Sequence, residues 1–200
     1  MTTVLPPPPT TRKARATYEA IISSTRAVLR SQGVLSPELI ADHAGVSPAT
    51  FYTYFSSKDA VLAAAFDATL EAMTTELDEA LSIEGLLDNG LEATTQTIVR
   101  KVIRGFSHDA RIFRLAISRL PDSETIRQVY RHHEGSILTV VGRFLELGQA
   151  AGMIRKAETE AMAAAFLVTV QGYQNPLILR PGSGPLVEEL TAMVHALFQP

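Results

Sequence analysis

Between Ser36 and Leu62 the chain reads SPELIADHAGVSPATFYTYFSSKDAVL, a run that carries many groups able to make directed hydrogen bonds. Ser36, Ser47, Thr50, Tyr52, Thr53 and Tyr54 bring hydroxyls that donate or accept, and Lys58 adds a cation. No nucleophile with a partner base accompanies them, so the chemistry on offer is recognition rather than bond breaking. Phe51 and Phe55 are four residues apart and point inward on a helix, while Thr50, Tyr52, Thr53 and Tyr54 cover the remaining surface. A buried structural helix would not spend Tyr and Thr on so short an outer face. Arg, Asn and Gln are absent from it, so the strongest side-chain readers of guanine and adenine are missing. A DNA reader of this composition would depend on apolar and hydroxyl contacts and on duplex shape.

The elements that must position these groups are legible in the same stretch. Ser36 is a good N-cap, and Pro37 sits where a first helical residue needs no N–H. Leu39, Ile40 and Ala44 predict one apolar face, and Gly45 can take the left-handed conformation that closes a helix. Ser47-Pro48 repeats the start signal, and Ser56-Ser57-Lys58-Asp59 ends the second helix and caps a third. Two helices joined by a short Gly-containing turn predict a helix-turn-helix, whose second helix enters a major groove.

Other candidate chemistry is thinner. His132 and His133 are adjacent, so on a helix they point about 100° apart and do not chelate one metal easily. With His108 and Glu134 they read as surface or pocket-lining groups, and His43 and His195 as structural or exposed ones; no metal site is expected. Gly182-Ser183-Gly184 lacks a strand-to-helix setting and reads as a loop. No Gly-rich phosphate loop is visible, so no cofactor and no enzymatic activity are expected.

With 200 residues the chain can bury a real core, and the net charge of −3 excludes a generally basic nucleic-acid coat. The charge is uneven. Residues 1–62 hold six Lys/Arg against four acids, +2, which leaves −5 on the rest. A mildly basic head on an acidic body fits a protein that touches few phosphates per subunit. The absence of Cys excludes disulfides and thiolate metal sites and is consistent with a reducing cytoplasm. The longest apolar run, Ala161 to Val170, is too short for a membrane span, and no signal-peptide pattern precedes the prolines.

Residues 1–11, MTTVLPPPPTT, read as a disordered or polyproline arm, followed by the basic Arg12, Lys13 and Arg15. These are either a solvated end or an arm that touches the DNA backbone or minor groove. A first helix spans about Arg12 to Gln32, with Gly33 as its stop. A fourth, about 57–81, carries an apolar seam of Val61, Leu62, Ala65, Phe66, Thr69, Leu70, Met73, Leu77 and Leu81. That seam is longer than the head needs, which predicts a connector to a second domain. Ser82 to Asn89 reads as a linker. Helices follow at about Leu87–Phe106, Asp109–Leu120, Ser123–Ala151, Glu158–Gln174 and Pro185–Phe198, with no strand pattern. The fold class is therefore all-α with about nine helices. The domains expected are a helix-turn-helix head over 12–62 and a second domain over 63–200.

The residues Ile40-Ala41, Ala44-Gly45-Val46-Ser47, Thr50, Tyr52, Phe55, Lys58 and Leu62 resemble the N-terminal signature of the tetracycline-repressor (TetR) family of transcriptional regulators. The likeness is specific from about Tyr18 to Leu62; beyond it only length and helical patterning agree. Gly33 to Ser36 is shorter than the family's usual loop, and Ser36 stands where Thr is commoner. The resemblance implies base-edge or thymine-methyl contacts at Pro48, Ala49, Thr53 and Tyr54. It implies phosphate contacts at Thr50, Tyr52 and Lys58, to which Ser36 and Ser47 would add hydroxyls and helix N-termini. It further implies a mostly apolar effector cavity among helices 5 to 8. Candidates there are Thr95, Ile98, Val102, Phe106, Phe113, Ile117, Tyr130, Phe144, Phe166 and Gln171, although no spacing separates lining from core.

Helices 8 and 9 carry Ala161, Ala164, Ala165 and Val168, and Leu186, Val187, Leu190, Val194 and Leu197. The resemblance implies that this pair builds a four-helix bundle with a partner subunit; the alternative is intramolecular core. Together these features imply a homodimeric repressor that leaves a palindromic double-stranded operator when a small apolar effector binds. Two rivals stand beside it: an enzyme with a vestigial helix-turn-helix, and a helical dimeric interaction module without operator-specific DNA binding.

Overall fold

The computed structural model describes residues 5, 7–178 and 180–200. The arm expected over residues 1–11 falls partly on residues 1–4 and 6, which lie outside the described ones. Among the described residues there are nine α-helices, one 3-10 turn and no strand. The helices are α1 (Arg12–Gln32), α2 (Pro37–His43), α3 (Pro48–Tyr54), α4 (Lys58–Ala80), α5 (Ile83–His108), α6 (Ala110–Arg119), α7 (Glu124–Ala150), α8 (Thr159–Gln171) and α9 (Gly184–Phe198). The 3-10 turn, Gly172–Gln174, follows α8 where the sequence predicted one continuous helix.

Contacts divide the chain into two compact units. One comprises Met1–Glu71 and Asp109–His133, the other Ala72–His108 and Glu134–Pro200.

In the first unit, the Thr11 hydroxyl accepts from Ala14 N at 3.3 Å and opens α1. Gly33 closes α1 at φ 71°, a conformation that favours glycine. The core of the head is Ile21, Val28, Ile40, Ala41, Phe51, Phe55, Val61 and Ala64, with Leu5, Tyr18 and Tyr54 packed against it. One expectation fails here. Leu39, assigned to the apolar face of α2, is exposed, and α2 instead turns Pro37, Ile40 and Ala41 inward. A seven-residue helix makes barely two turns, so spacing alone left the centre of its buried face undetermined.

The unit's second segment adds α6 and the start of α7. Phe66 of α4 meets Phe113 of α6 edge-on at 5.4 Å and stacks with Tyr130 of α7 at 6.2 Å. The α6 N-terminus is fastened to α1 by charge. Asp109 accepts from Arg30 Nε at 2.5 Å and Nη2 at 3.2 Å, and from Arg26 Nη2 at 3.2 Å. Arg111 donates to the carbonyls of Arg30 and Ser31, both at 2.8 Å, and so satisfies the open C-terminal end of α1.

In the second unit, the stretch expected to be a linker, Ser82 to Asn89, is helical from Ile83 onward. Ser82 acts as its cap: the hydroxyl accepts from Gly85 N at 3.1 Å and donates to Glu84 at 2.8 Å. The break comes later, at Gly90, where φ 78° and ψ 170° interrupt α5. Gly85 does not break the helix, because an N-cap three residues upstream outweighs its weak helix propensity. Phe144, Phe166 and Phe198 form the aromatic centre of this unit. Arg155 ties off the end of α9, donating its backbone N–H to Phe198 O at 2.9 Å and Nε to Leu197 O at 2.8 Å.

Candidate nucleic-acid interface

Both short helices of the head begin with the same device. Ser36 Oγ accepts from Leu39 N at 3.3 Å, and Ser47 Oγ accepts from Thr50 N at 3.1 Å, with proline in the first turn of each helix. Each such cap is worth about 1 kcal/mol, enough to define where a seven-residue helix starts. Gly45, at φ 67°, makes the corner between them, and Val46 N donates back to Ala41 O at 2.9 Å. Phe51 is wholly buried and Phe55 nearly so, which orients α3 about its own axis.

What remains outside is the proposed reading surface. Ser47, Pro48, Ala49, Tyr52 and Thr53 are exposed, with Tyr52 at 50 %. The Thr53 hydroxyl donates to Ala49 O at 3.0 Å, so toward a ligand it offers lone pairs. Thr50 is half-buried, and its hydroxyl shares a hydrogen bond with Ser47 Oγ at 2.9 Å. Tyr54 is also half-buried, its ring 6.5 Å from that of Tyr18 on α1. Lys58 is exposed as the first residue of α4, where free backbone N–H groups add positive potential. The Ser57 hydroxyl caps that helix through Ala60 N at 3.1 Å.

Glu38 has a role that no local pattern announces. Its carboxylate accepts from the Ser36 hydroxyl at 2.8 Å. That bond, then its own backbone N–H, and more weakly the Lys58 charge hold it below the usual carboxylate range. Two further partners also escaped sequence reading: Asp109 between its arginines, and the buried His133, which pairs with Asp67. No short-range pattern announces either, since their partners lie on other helices.

These groups now stand beside known proteins. Residues 21–65 match the family described as bacterial regulatory proteins, tetR family. The helix-turn-helix head is thus similar to that of this family. The all-α TetR-like fold extends over nearly the whole chain. A candidate TetR-family transcriptional regulator from Mesorhizobium loti is 20% identical, with a TM-score of 0.73 over 94% of this chain and 95% of that one. A TetR transcription regulator from Haloarcula marismortui is 19% identical, with a TM-score of 0.73 over 91% and 96%. The fatty acid degradation regulator FadR from Bacillus halodurans is 17% identical, with a TM-score of 0.67 over 89% and 94%. No curated protein matches the chain.

The effector candidates are distributed over both units of this TetR-like fold. Phe113, Ile117 and Tyr130 lie in the first; Thr95, Ile98, Val102, Phe106, Phe144, Phe166 and Gln171 lie in the second. Thr95, Ile98, Phe144 and Phe166 are almost completely buried. The Thr95 hydroxyl donates to Leu91 O at 2.8 Å, and Gln171 Nε2 donates to Glu134 at 2.8 Å. A separate cavity of about 710 Å³ lies between α5 and α9 in the second unit and is lined by residues such as Gln96, Arg100 and His195. None of the effector candidates lines it.

Among the described residues no group of three or more His, Cys, Asp or Glu is placed to hold a metal. Among the described residues no helix is long and apolar enough to cross a membrane.

Proposed function

We propose that this chain is a homodimeric transcriptional repressor that binds a palindromic double-stranded operator and is released by a small apolar effector. In this reading residues 12–62 are the DNA-reading head, and the remainder takes up effector and partner. The observation that carries it is the outward face of α3. Pro48, Ala49, Tyr52 and Thr53 are presented to solvent on a helix whose start and rotation are fixed by Ser47, Phe51 and Phe55. Small apolar groups suit a thymine methyl, and hydroxyls suit base edges. Tyr52, Thr50 and Lys58 supply the backbone contacts that set register.

In this reading the partner subunit seats on α8 and α9. Ala161, Ala164, Ala165 and Val168 of α8 are exposed, as are Leu186 and Met193 of α9. Small side chains let two helices approach closely, and burying such a face drives association. Two heads related by a two-fold axis would then read half-sites about 34–36 Å apart. An effector would act by linkage, preferring a state in which that spacing is lost. Because the Bacillus halodurans neighbour is a fatty acid degradation regulator, fatty acids are the first effector probes.

The test is selection of bound fragments from random-sequence DNA, followed by anisotropy titration of the enriched site across a salt series. A palindromic consensus, and a salt slope that falls by about 0.9 per subunit in Lys58→Ala, support the reading. Absence of any enriched sequence, with no binding at low salt, overturns it.

A further inference from the structure

The cavity between α5 and α9 lies wholly in the second unit, and its volume of about 710 Å³ falls in the range of small-ligand sites. One wall is a ridge of α5, where four-residue steps set Glu92, Gln96 and Arg100 on one face. The facing wall is a flank of α9 that carries Glu188, Ala192 and His195. At about 100° per residue, Glu188 and His195 stand roughly 140–160° around α9 from Met193. The flank proposed for a partner subunit is therefore a different one.

The charges on these walls are not matched. Arg100 bonds within α5, its Nε donating to Gln96 O at 3.2 Å and Nη2 to Thr97 Oγ1 at 3.5 Å. Among the described residues it has no carboxylate partner. The Glu188 carboxylate makes no ion pair or hydrogen bond among them either. Glu92, by contrast, accepts from Gln96 Nε2 at 3.5 Å. His195 Nδ1 is buried with no hydrogen-bond partner among the described residues, a rare condition for a polar atom. The cleft thus offers a cation on one wall, an anion on the other and an imidazole beside them. The methyls of Ala192 and Ala196 add apolar surface.

We propose that this cleft binds a small zwitterion of the amino-acid class with an apolar side chain. Arg100 takes the carboxylate, to which its planar fork of donors is suited. Glu188 takes the ammonium from the facing helix, and the imidazole of His195 bonds a polar edge of the ligand. The alanine methyls meet the apolar side chain, whose burial adds to binding. A ligand with charge of one sign fits less well: a dicarboxylate meets Glu188 as a like charge, and a diamine meets Arg100 as one. The proposal does not rest on DNA binding.

The full chain, isotope-labelled at its alanine methyls, is titrated with L-leucine and L-phenylalanine and followed by nuclear magnetic resonance. The Ala192 and Ala196 signals should shift saturably, with a Kd of about 1 mM. N-acetyl-L-phenylalanine lacks the ammonium and phenethylamine lacks the carboxylate. Each should bind about five-fold more weakly than L-phenylalanine, the upper scale of one exposed ion pair. In Arg100→Gln, L-phenylalanine and phenethylamine should bind alike; in Glu188→Gln, L-phenylalanine and its N-acetyl form should bind alike. Circular dichroism checks that both variants keep their helicity. No saturable shift with either amino acid overturns the proposal. So does equal binding of the phenyl compounds by the parent, or a preference that survives the matching substitution. The titrations contain no DNA, so failure of the DNA-binding reading leaves their outcome untouched.

Discussion

His133 Nε2 lies 2.9 Å from Asp67 Oδ1, joining α7 to α4 through an imidazole that is 2 % exposed. Asp67 is reached by solvent, but the other ring nitrogen of His133, Nδ1, is buried with no hydrogen-bond partner among the described residues. Asp67 also acts on α1. The Tyr18 phenol is pushed up first by burial and then by the Asp67 charge, and its ring stacks on Phe55 at 5.1 Å. One carboxylate thus meets α7 directly and α1 through its field.

If that pair fastens α7 to α4, Asp67→Ala leaves an imidazole buried with neither nitrogen partnered. Stability should fall by about 1–3 kcal/mol, and Asp67→Asn, which can still accept from Nε2, should recover part of it. Urea midpoints at neutral pH read this directly. Equal midpoints for parent and Asp67→Ala would show that the pair contributes nothing.

Asp109 predicts a larger effect. Its side chain is 5 % exposed and holds two guanidinium groups, so Asp109→Ala strands both arginines beside the α1 end. The arginines reach water, which reduces the penalty, and a loss of about 2–4 kcal/mol is expected. The urea midpoint should drop with the slope unchanged, since the folded surface is the same. A drop below 0.5 kcal/mol would mean that α6 is held by its apolar face and the Arg111 hydrogen bonds.

Val194 marks a division on α9. It is wholly buried within the chain, whereas Met193 is 59 % exposed and Val168 of α8 is 69 % exposed. Met193→Glu and Val168→Glu should therefore yield folded monomers in sedimentation, each charge opposing burial in a partner. Val194→Glu should unfold the chain instead. Folded dimers of Met193→Glu and Val168→Glu at micromolar concentration would place the partner on another face.

Tyr173 gives an alkaline signature. Burial pushes its phenol up to about 12, and the hydroxyl donates to Leu190 O at 3.2 Å. The folded value lies above the ordinary one near 10, so the unfolded chain releases the proton first as pH rises. Stability from this group is complete below pH 10 and is lost between about 10 and 12, by up to about 2 kcal/mol. Tyr173→Phe should start about 1 kcal/mol lower for the missing hydrogen bond, yet fall less steeply over that range. Parallel curves for the two proteins would contradict the assignment.

Signals that act within a turn of helix were legible in the residues themselves. Ser36-Pro37, Ser47-Pro48 and Gly45 placed the two short helices, and the four-residue step from Phe51 to Phe55 oriented the second. The same local rules gave the long α4 seam, now buried at Val61, Leu62, Ala65, Phe66, Leu70 and Leu77. Propensity without context was weaker. It assigned Ser82 to Asn89 to a linker and Leu39 to a buried face, because it weighed single residues and not the caps and neighbours that outvote them.

Only tertiary structure decided the rest. Asp109 meets Arg26 and Arg30 across 83 and 79 residues, and His133 meets Asp67 across 66. In the sequence these are ordinary solvated charges, and nothing in their flanks marks them as partners. The exposed side of α9 was hidden for a related reason. Val194 and Met193 are adjacent and both apolar, so only the packing of neighbouring helices determines which of them meets solvent. Periodicity fixes the angle between two side chains on a helix, but burial depends on where the rest of the chain comes to lie.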